Sequence, residues 1–570
     1  MRGINDSMCD DIKTAMSQQG IDLNTEVMTK CLSLCSSLHI TAETMAESWM
    51  AYSLNKNIMD LDDISFDPFR SYLLKELEPK QEVGAIVKKR RVEMTPPPPK
   101  KARKNIPNPT PHKISVSPSK TFSFETRSDA GKVMVSYNPA NVDVEKVKYG
   151  KCDIDTRSFE DTNARDYRYM FTTVEDRADA LNDQAVLMGE IISEENNLEE
   201  IIKPVGTPHQ DKVCLVGRIC NEAHEGRLNA TSIEMEGSRD KSQGQRIKVD
   251  VSNVKSYSMF SGQVVAVEGL NPTGRSITAE KIYDGVSLSK LKHEGKNSRP
   301  VHIMTVTGPY TLEKDSHYTP LRDFLLLVKE IKPSLVIMTG PYVTDADTLE
   351  MDDGTDMPVS FETVFQHKIV AMLDLIFQDD NPTQFVILPS LDDKLSQPVY
   401  PQPPLSDRIP EGKLLTFSDA DIDVGTLSIH TLPRNRVHLL PNPATIAVND
   451  LTVGVTSTDI LLHLSSDEIH RNLPQNRIAT LAQHLMKQKS YYPLFPAHMS
   501  TPVDLKRLDQ FAMPCHPDIL ILPSMLAPFC RKVMDTLVVN PGYLIKGNRS
   551  GTYGNIWVSE AGEKVEIKKI

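Results

Sequence analysis

The chain has 570 residues, more than one hydrophobic core usually organises, and its 39% hydrophobic and 25% charged residues are the balance of a folded, multidomain polypeptide. No run of 18 apolar residues and no charged-then-apolar leader occurs, which argues against a membrane span or secretory signal and for an intracellular chain. Net charge is −12, but residues 88–104 hold eight bases and one acid, so the remainder carries −19 and is expected to repel bare nucleic acid. Eight cysteines are scattered, and the near neighbours Cys31 and Cys35 read as reduced core thiols on a helix rather than a zinc knuckle.

In chain order, residues 1–78 predict a helical N-terminal docking domain. Val27, Met28, Cys31, Leu32 and Cys35, then Met45, Ala46, Trp49 and Met50, follow the i, i+3, i+4 spacing of a helix face, with Asn24 or Thr25 and then Thr41 placed to cap. Residues 79–150 are rich in proline and poor in large apolar side chains, so they predict a disordered linker that cannot offset its ordering entropy by burial. Within it, Lys88, Lys89, Arg90 and Arg91 and then Lys100, Lys101, Arg103 and Lys104 form two basic clusters with bipartite spacing, the pattern of a nuclear import signal. Thr95, Thr110 and Ser117 each precede a proline and are candidate acceptors for proline-directed kinases.

Residues 151–290 predict a five-stranded OB barrel with a helical lead-in. An acidic helical run at 176–200 precedes five strand-like segments, at 213–220, 229–236, 246–254, 263–271 and 276–284. A barrel that binds single strands needs stacking aromatics and a basic groove. Between Asn221 and Asp284 the aromatics are Tyr257, Phe260 and Tyr283, with eight bases against nine acids. Protein docking is therefore the expected role, and little direct nucleic-acid binding.

From Arg299 strands and helices alternate: strands at 301–306, 335–339 and 384–388, helices at 321–330 and 361–377. Continuous apolar strands of this kind belong to a sheet covered on both faces. The stretch 518–547 reads as a buried strand, a tight turn, a helix, another strand and a Gly turn, and with Asn540-Pro541-Gly542 it resembles the closing segment of a calcineurin-like metallophosphoesterase. That resemblance implies metal ligands at the strand ends, and this chain lacks them. Where Asp-x-His is implied stand Thr305-Val306-Thr307; His302 is mid-strand, a sheet residue. Gly-Asp-x-x-Asp becomes Gly340-Pro341-Tyr342-Val343-Thr344, with Asp345 and Asp347 out of register. Gly-Asn-His-Asp becomes Pro389-Ser390-Leu391-Asp392, in which Asp392 alone matches. Gly-His-x-His becomes Pro523-Ser524-Met525-Leu526. A hydroxyl, a thioether or an isobutyl group cannot replace imidazole or carboxylate on a hard divalent pair. His438 and His463 are candidates, by rough order, for a remaining single-histidine motif. The expectation for residues 291–570 is an inactive phosphoesterase domain, a helix-covered β-sandwich with no catalytic residue, metal or other cofactor.

The whole, a multidomain α+β chain of helical module, linker, OB barrel and inactivated phosphoesterase, resembles the B-subunit family of DNA polymerase alpha–primase. The runs Tyr400-Pro401-Gln402-Pro403-Pro404, Gly454-Val455-Thr456-Ser457-Thr458-Asp459 and Ser490-Tyr491-Tyr492-Pro493-Leu494 carry the likeness, with the stretch from Asn540 to Tyr553. The resemblance implies a noncatalytic, nuclear scaffold that grips the zinc-bearing C-terminal domain of the polymerase catalytic subunit. Primase would join the same assembly for RNA–DNA primer synthesis, and replication factors would dock on the N-terminal domain. The alternatives are the equivalent accessory chain of polymerase delta or epsilon, an active metallophosphodiesterase, and an OB-type binder of single-stranded DNA.

Overall fold

The computed structural model describes helix α1, Thr25–Leu38, and scattered positions in the first 73 residues, then residues 124, 127–138, 149–156 and 170–570 except 224–225, 288–289, 291–298, 313–314, 345–358, 379–380, 407–426, 474–475 and 561. They fall into two compact units, 1–123 and 124–570. In the first, α1 sets Val27, Met28, Cys31, Leu34 and Cys35 on one buried face, and these share a cluster with Met45, Trp49, Tyr52, Phe66, Phe69 and Leu73. Burial pushes the Cys31 thiol up to about 12 and Cys35 up to about 11, so both act as neutral packing groups. Ala46, Met50, both basic clusters and Thr95, Thr110 and Ser117 lie outside the described residues.

The second unit begins earlier than a linker through 150 allows. Val133–Tyr137 is a strand, β1, paired antiparallel with the last strand of the chain through Val135↔Ile567 and Tyr137↔Val565. Val135 and Tyr137 turn into the apolar core while the backbone covers an otherwise open edge. Ile154–Asp155, β2, likewise pairs with a strand near 447, and Cys152 is buried in the same core, so the expected lead-in to the barrel starts inside the sheet domain. Helix α2, Val174–Asn196, opens on a capping box between Thr173 and Asp176, and Met188 and Ile192 pack against Cys214, Val264 and Ala266 of the barrel.

The barrel is closed by five strands: β3 (Lys212–Asn221), β4 (Ile233–Glu236), β5 (Arg246–Asp250), β7 (Val264–Leu270) and β8 (Ser276–Tyr283), in the order β3-β4-β5-β8-β7. Leu215, Ile219, Met235, Val249, Val267 and Ile277 fill it. A short strand between them, β6 (Tyr257–Met259), leaves the barrel to pair elsewhere.

Two sheets form the rest. The parallel strands β9 (Val301–Thr307), β10 (Leu335–Thr339), β11 (Gln384–Leu388) and β12 (Val437–Leu439) are extended by antiparallel β21 (Thr552–Ser559), β22 (Gly562–Lys569) and β1. The facing sheet has the order β17-β18-β16-β14-β13-β2, with β13 at Ala444–Val448, β14 at Leu451–Val455, β16 at Ile519–Ile521, β17 at Phe529–Val533 and β18 at Thr536–Asn540. The two faces of β9 show why these strands carry apolar residues at consecutive positions. Val301 and Ile303 point between the sheets toward Val453, Ile519 and Val539, while Met304 and Val306 face helix α3 (Thr319–Ile331) through Leu321, Phe324 and Val328. The outer face of the second sheet is covered by α4 (Ile460–Asp467) and α5 (Arg477–Lys487), whose Leu461, Leu464, Leu481 and Leu485 pack with Leu520 and Val538.

One expected helix is a strand. The segment after Leu526 is β17, joined to β18 by Met534 and Asp535, both with positive φ (47° and 66°), which is the geometry of a two-residue type I′ hairpin. Pro528 at its start and only six residues before the turn leave no room for a helix.

Candidate functional site

The positions at which the phosphoesterase resemblance implies metal ligands lie along one rim, where β9, β10, β11, β14, β16 and β18 end. Leu544 N–H donates to Thr307 O at 2.8 Å, Ser457 Oγ donates to Pro389 O at 2.7 Å, and Met525 N–H donates to Asp459 Oδ2 at 2.7 Å, so the loops of both sheets are tied together there.

Many of the side chains at this rim pack on or hydrogen-bond to the protein itself. Thr339 Oγ1 donates to Thr307 Oγ1 at 2.8 Å deep between the sheets, and Thr305 is fully buried beside them. After Pro341, Tyr342 turns inward, stacks on Tyr310 at 5.3 Å and donates to Met338 O at 2.8 Å; Thr344 follows at the rim. Leu391 and Leu526 both pack on the apolar cluster of Tyr400, Tyr492 and Phe511. Ser390 is buried and Asp392 exposed. Ser524 is fully buried; its N–H donates to Asn540 Oδ1 at 3.0 Å, and its Oγ accepts from Leu526 N–H at 3.2 Å.

Two carboxylates outside the motif positions are the most perturbed here. Asp393, buried, accepts the N–H groups of Tyr342 (2.9 Å) and Val343 (3.1 Å) on Oδ1, while its Oδ2 has no partner and faces Gly340. Burial pushes it up to about 7 against those hydrogen bonds. The second of two consecutive aspartates turns inward, and only the first matches the motif. Asp459 caps α4 by accepting from Leu462 N–H at 3.0 Å. Burial raises it, opposed by hydrogen bonds from Ser524, Met525 and Leu462 and by the Lys546 ammonium, which burial in turn lowers.

Asn540 organises the Asn-Pro-Gly turn. Its Oδ1 accepts from Ser524 and Gly542 N–H, and its Nδ2 donates to Leu526 O (3.3 Å) and Ala527 O (3.2 Å), so one side chain folds the whole turn. The candidate histidines are elsewhere. His438, on β12, meets Gln384 Oε1 at 3.0 Å; His463 stacks on His498 at 4.1 Å and contacts the Tyr492 hydroxyl, and burial, with the His498 ring beside it, lowers it to about 4. His302 stacks on Trp557 at 4.8 Å, and burial lowers it to about 4. Among the described residues no group of three or more His, Cys, Asp or Glu is placed to hold a metal ion. A dinuclear centre of the kind the phosphoesterase resemblance implies does not fit this donor set: Asp393 Oδ1, both Asp459 oxygens and Ser524 Oγ serve backbone N–H groups, and the unpartnered Asp393 Oδ2 is one carboxylate oxygen where a metal pair needs several ligands.

The barrel offers no stacking platform from its aromatics. Phe260 and Tyr257 are buried, and Tyr283 is half-buried, donating to Glu268 at 3.0 Å. Three of its bases are held in ion pairs: Arg246 with Glu236 (2.5 Å), Lys248 with Glu222 (2.8 Å) and Lys212 with Glu280 (2.5 Å).

The seam between barrel and sheets is an extensive polar construction that the sequence does not announce. β6 pairs antiparallel with β15, Ile469–Arg471, and Phe260 enters the apolar cluster of α4 and α5. Beside it the Glu468 side chain is fully buried; Ser258 Oγ donates to it, Arg477 Nε lies at 3.0 Å, and His470 and His484 lie at 3.5 and 3.6 Å. Gln488 extends the barrel ladder, accepting from Val264 N–H at 2.9 Å and donating to Val264 O at 3.0 Å, and Lys487 binds Asp284 at 2.7 Å. The residues joined across this seam stand roughly 200 positions apart in the chain, so no local signal marks them.

The chain is similar to known proteins over most of its length. The family model for the B subunit of DNA polymerase alpha/epsilon matches residues 303–531, that for the OB domain of the DNA polymerase alpha B subunit matches 178–285, and that for the N-terminal part of the DNA polymerase alpha B subunit matches 10–70. The B subunit of DNA polymerase alpha from Rattus norvegicus is 31% identical over 485 residues, covering 82% of this chain and 76% of that one. That of Mus musculus is 30% identical over 453 residues (78% and 71%), and that of Schizosaccharomyces pombe is 29% identical over 572 residues (93% and 92%).

Proposed function

Because the chain belongs to the B-subunit family of DNA polymerase alpha, we propose that it is the noncatalytic accessory subunit of a DNA polymerase alpha–primase assembly, supporting the start of RNA–DNA primer synthesis. The observation that carries this reading is the rim itself: strands and Asn-Pro-Gly turn remain, but Pro341, Leu391, Ser524 and Leu526 occupy ligand positions and join the packing. The two-sheet domain is a calcineurin-like phosphoesterase whose chemistry is gone and whose fold serves as scaffold.

Barrel and sheets, locked at the seam, form one docking body for the C-terminal domain of the polymerase catalytic subunit, with primase joining through that subunit. Paired barrel bases and buried barrel aromatics favour this over single-strand binding. The N-terminal helical domain docks replication factors. Lys88, Lys89, Arg90 and Arg91 with Lys100, Lys101, Arg103 and Lys104 direct nuclear import, and Thr95, Thr110 and Ser117 are phosphorylated to tune it. Affinity purification of the full chain from nuclear extract, read by mass spectrometry, tests the assignment. A polymerase alpha catalytic subunit and primase should co-purify in comparable amounts. Recovery of a delta or epsilon catalytic subunit instead would overturn it.

A further inference from the structure

We propose that the groove between α2 and the barrel docks a basic, leucine-anchored segment of a partner protein. The groove has a volume of about 500 Å³, within the range of ligand sites, and opens at the helix–barrel boundary, away from the strand-end rim. Its floor is apolar: Ala185, Val186, Ile202, Pro204 and Val216, with Gly189 letting the helix approach so closely that an added methyl would meet Val216 Cγ1 at 2.5 Å. Such a floor accepts an aliphatic side chain.

The charge around it selects the flanks. α2 carries seven acids and one base. Asp176 is matched by Lys506, Asp179 by Arg239, and Glu195 accepts from Ser287 N–H. The carboxylates of Asp183, Glu190 and Glu194, all exposed, have no ion-pair or hydrogen-bond partner among the described residues, and Glu190 and Glu194 with Glu199 form the acidic rim of the groove. Lys203 and Lys241 line the same groove; Lys203 Nζ donates to Glu200 O at 3.3 Å. Leu187, 58% exposed, sits between Asp183 and Glu190 on this ridge and extends the apolar surface out of the groove. A chain running along α2 with leucines over Leu187 and the floor places its arginines or lysines against Glu190 and Glu194. An acidic or nucleic-acid partner meets repulsion there.

The test uses the full chain and a fluorescent peptide with two leucines between pairs of arginines, read by anisotropy. Saturable binding is expected, weakened about tenfold by Glu190→Lys with Glu194→Lys and by about the same factor when the peptide leucines become serines. Both substitutions are on exposed positions, and an unchanged melting temperature verifies the fold. No saturable binding, or binding indifferent to the charge reversal, overturns the proposal. Equal binding of the serine peptide reduces the site to bare electrostatics and also overturns it, as does self-association of the chain that the same charge reversal abolishes, since the groove then belongs to a second copy.

Discussion

Replacing Glu468 by Gln tests whether barrel and sheets form one mechanical body. The carboxylate has no solvent access, receives Ser258 from the barrel strand β6, and faces Arg477, His470 and His484 from the sheet side. Burial opposes its ionisation, but hydrogen bonds from His470, His484 and Ser258 and the Arg477 charge outweigh that and hold it far below the usual carboxylate range. Removing one partner of a buried pair typically costs about 3–5 kcal/mol. Arg477 keeps 32% exposure and recovers some hydration, so roughly 2–4 kcal/mol is expected here. Because folded and unfolded carboxyl values differ in the depressed sense, this stabilisation is present above about pH 4–5 and is lost as pH falls below it. Urea unfolding followed by two probes, one in the barrel and one in the sheets, should change from a coincident transition to two separate ones in the variant. Glu468→Leu combined with Arg477→Met should restore much of the loss, since no charge is then left buried alone. A coincident transition in Glu468→Gln with an unshifted midpoint would refute the idea that this seam couples the two.

Asp393→Asn keeps the acceptor for Tyr342 and Val343 and replaces the unpartnered Oδ2. Since burial raises Asp393 to about 7, its neutral form stabilises the fold most below about pH 4 and this contribution fades as pH rises through 7; the variant's melting temperature should be flatter over that window. Asn540→Ala leaves the N–H groups of Ser524 and Gly542 without an acceptor and should cost about 2–4 kcal/mol in thermal unfolding; a loss under about 0.5 kcal/mol would mean the turn is held otherwise. A chain starting at residue 124 should stay monomeric, whereas one starting at 150 loses β1, uncovers the β22 edge and should aggregate in light scattering.

The parts legible in the sequence are those whose signal is local. The apolar strands β9 to β11 stand out because both faces are buried, and the barrel because its strands follow one another at short intervals. The five residues of β1 resemble linker because their partner Ile567 lies at the far end of the chain. β17 resembles a helix since nothing local marks Met534 and Asp535 as a hairpin turn. At the rim, the motif resemblance singles out Asp392 rather than the buried Asp393, because burial is decided by packing rather than by order in a motif. Gln488 and Lys487 act through partners in the barrel, and Glu468 joins the barrel's Ser258 to Arg477, His470 and His484.

The most direct test of the scaffold role is reconstitution. The full chain, co-expressed with a polymerase alpha catalytic subunit and passed through size exclusion with light scattering, should elute as a one-to-one complex that survives removal of residues 1–123. Elution of the two proteins as separate species, with the accessory chain folded, would contradict it.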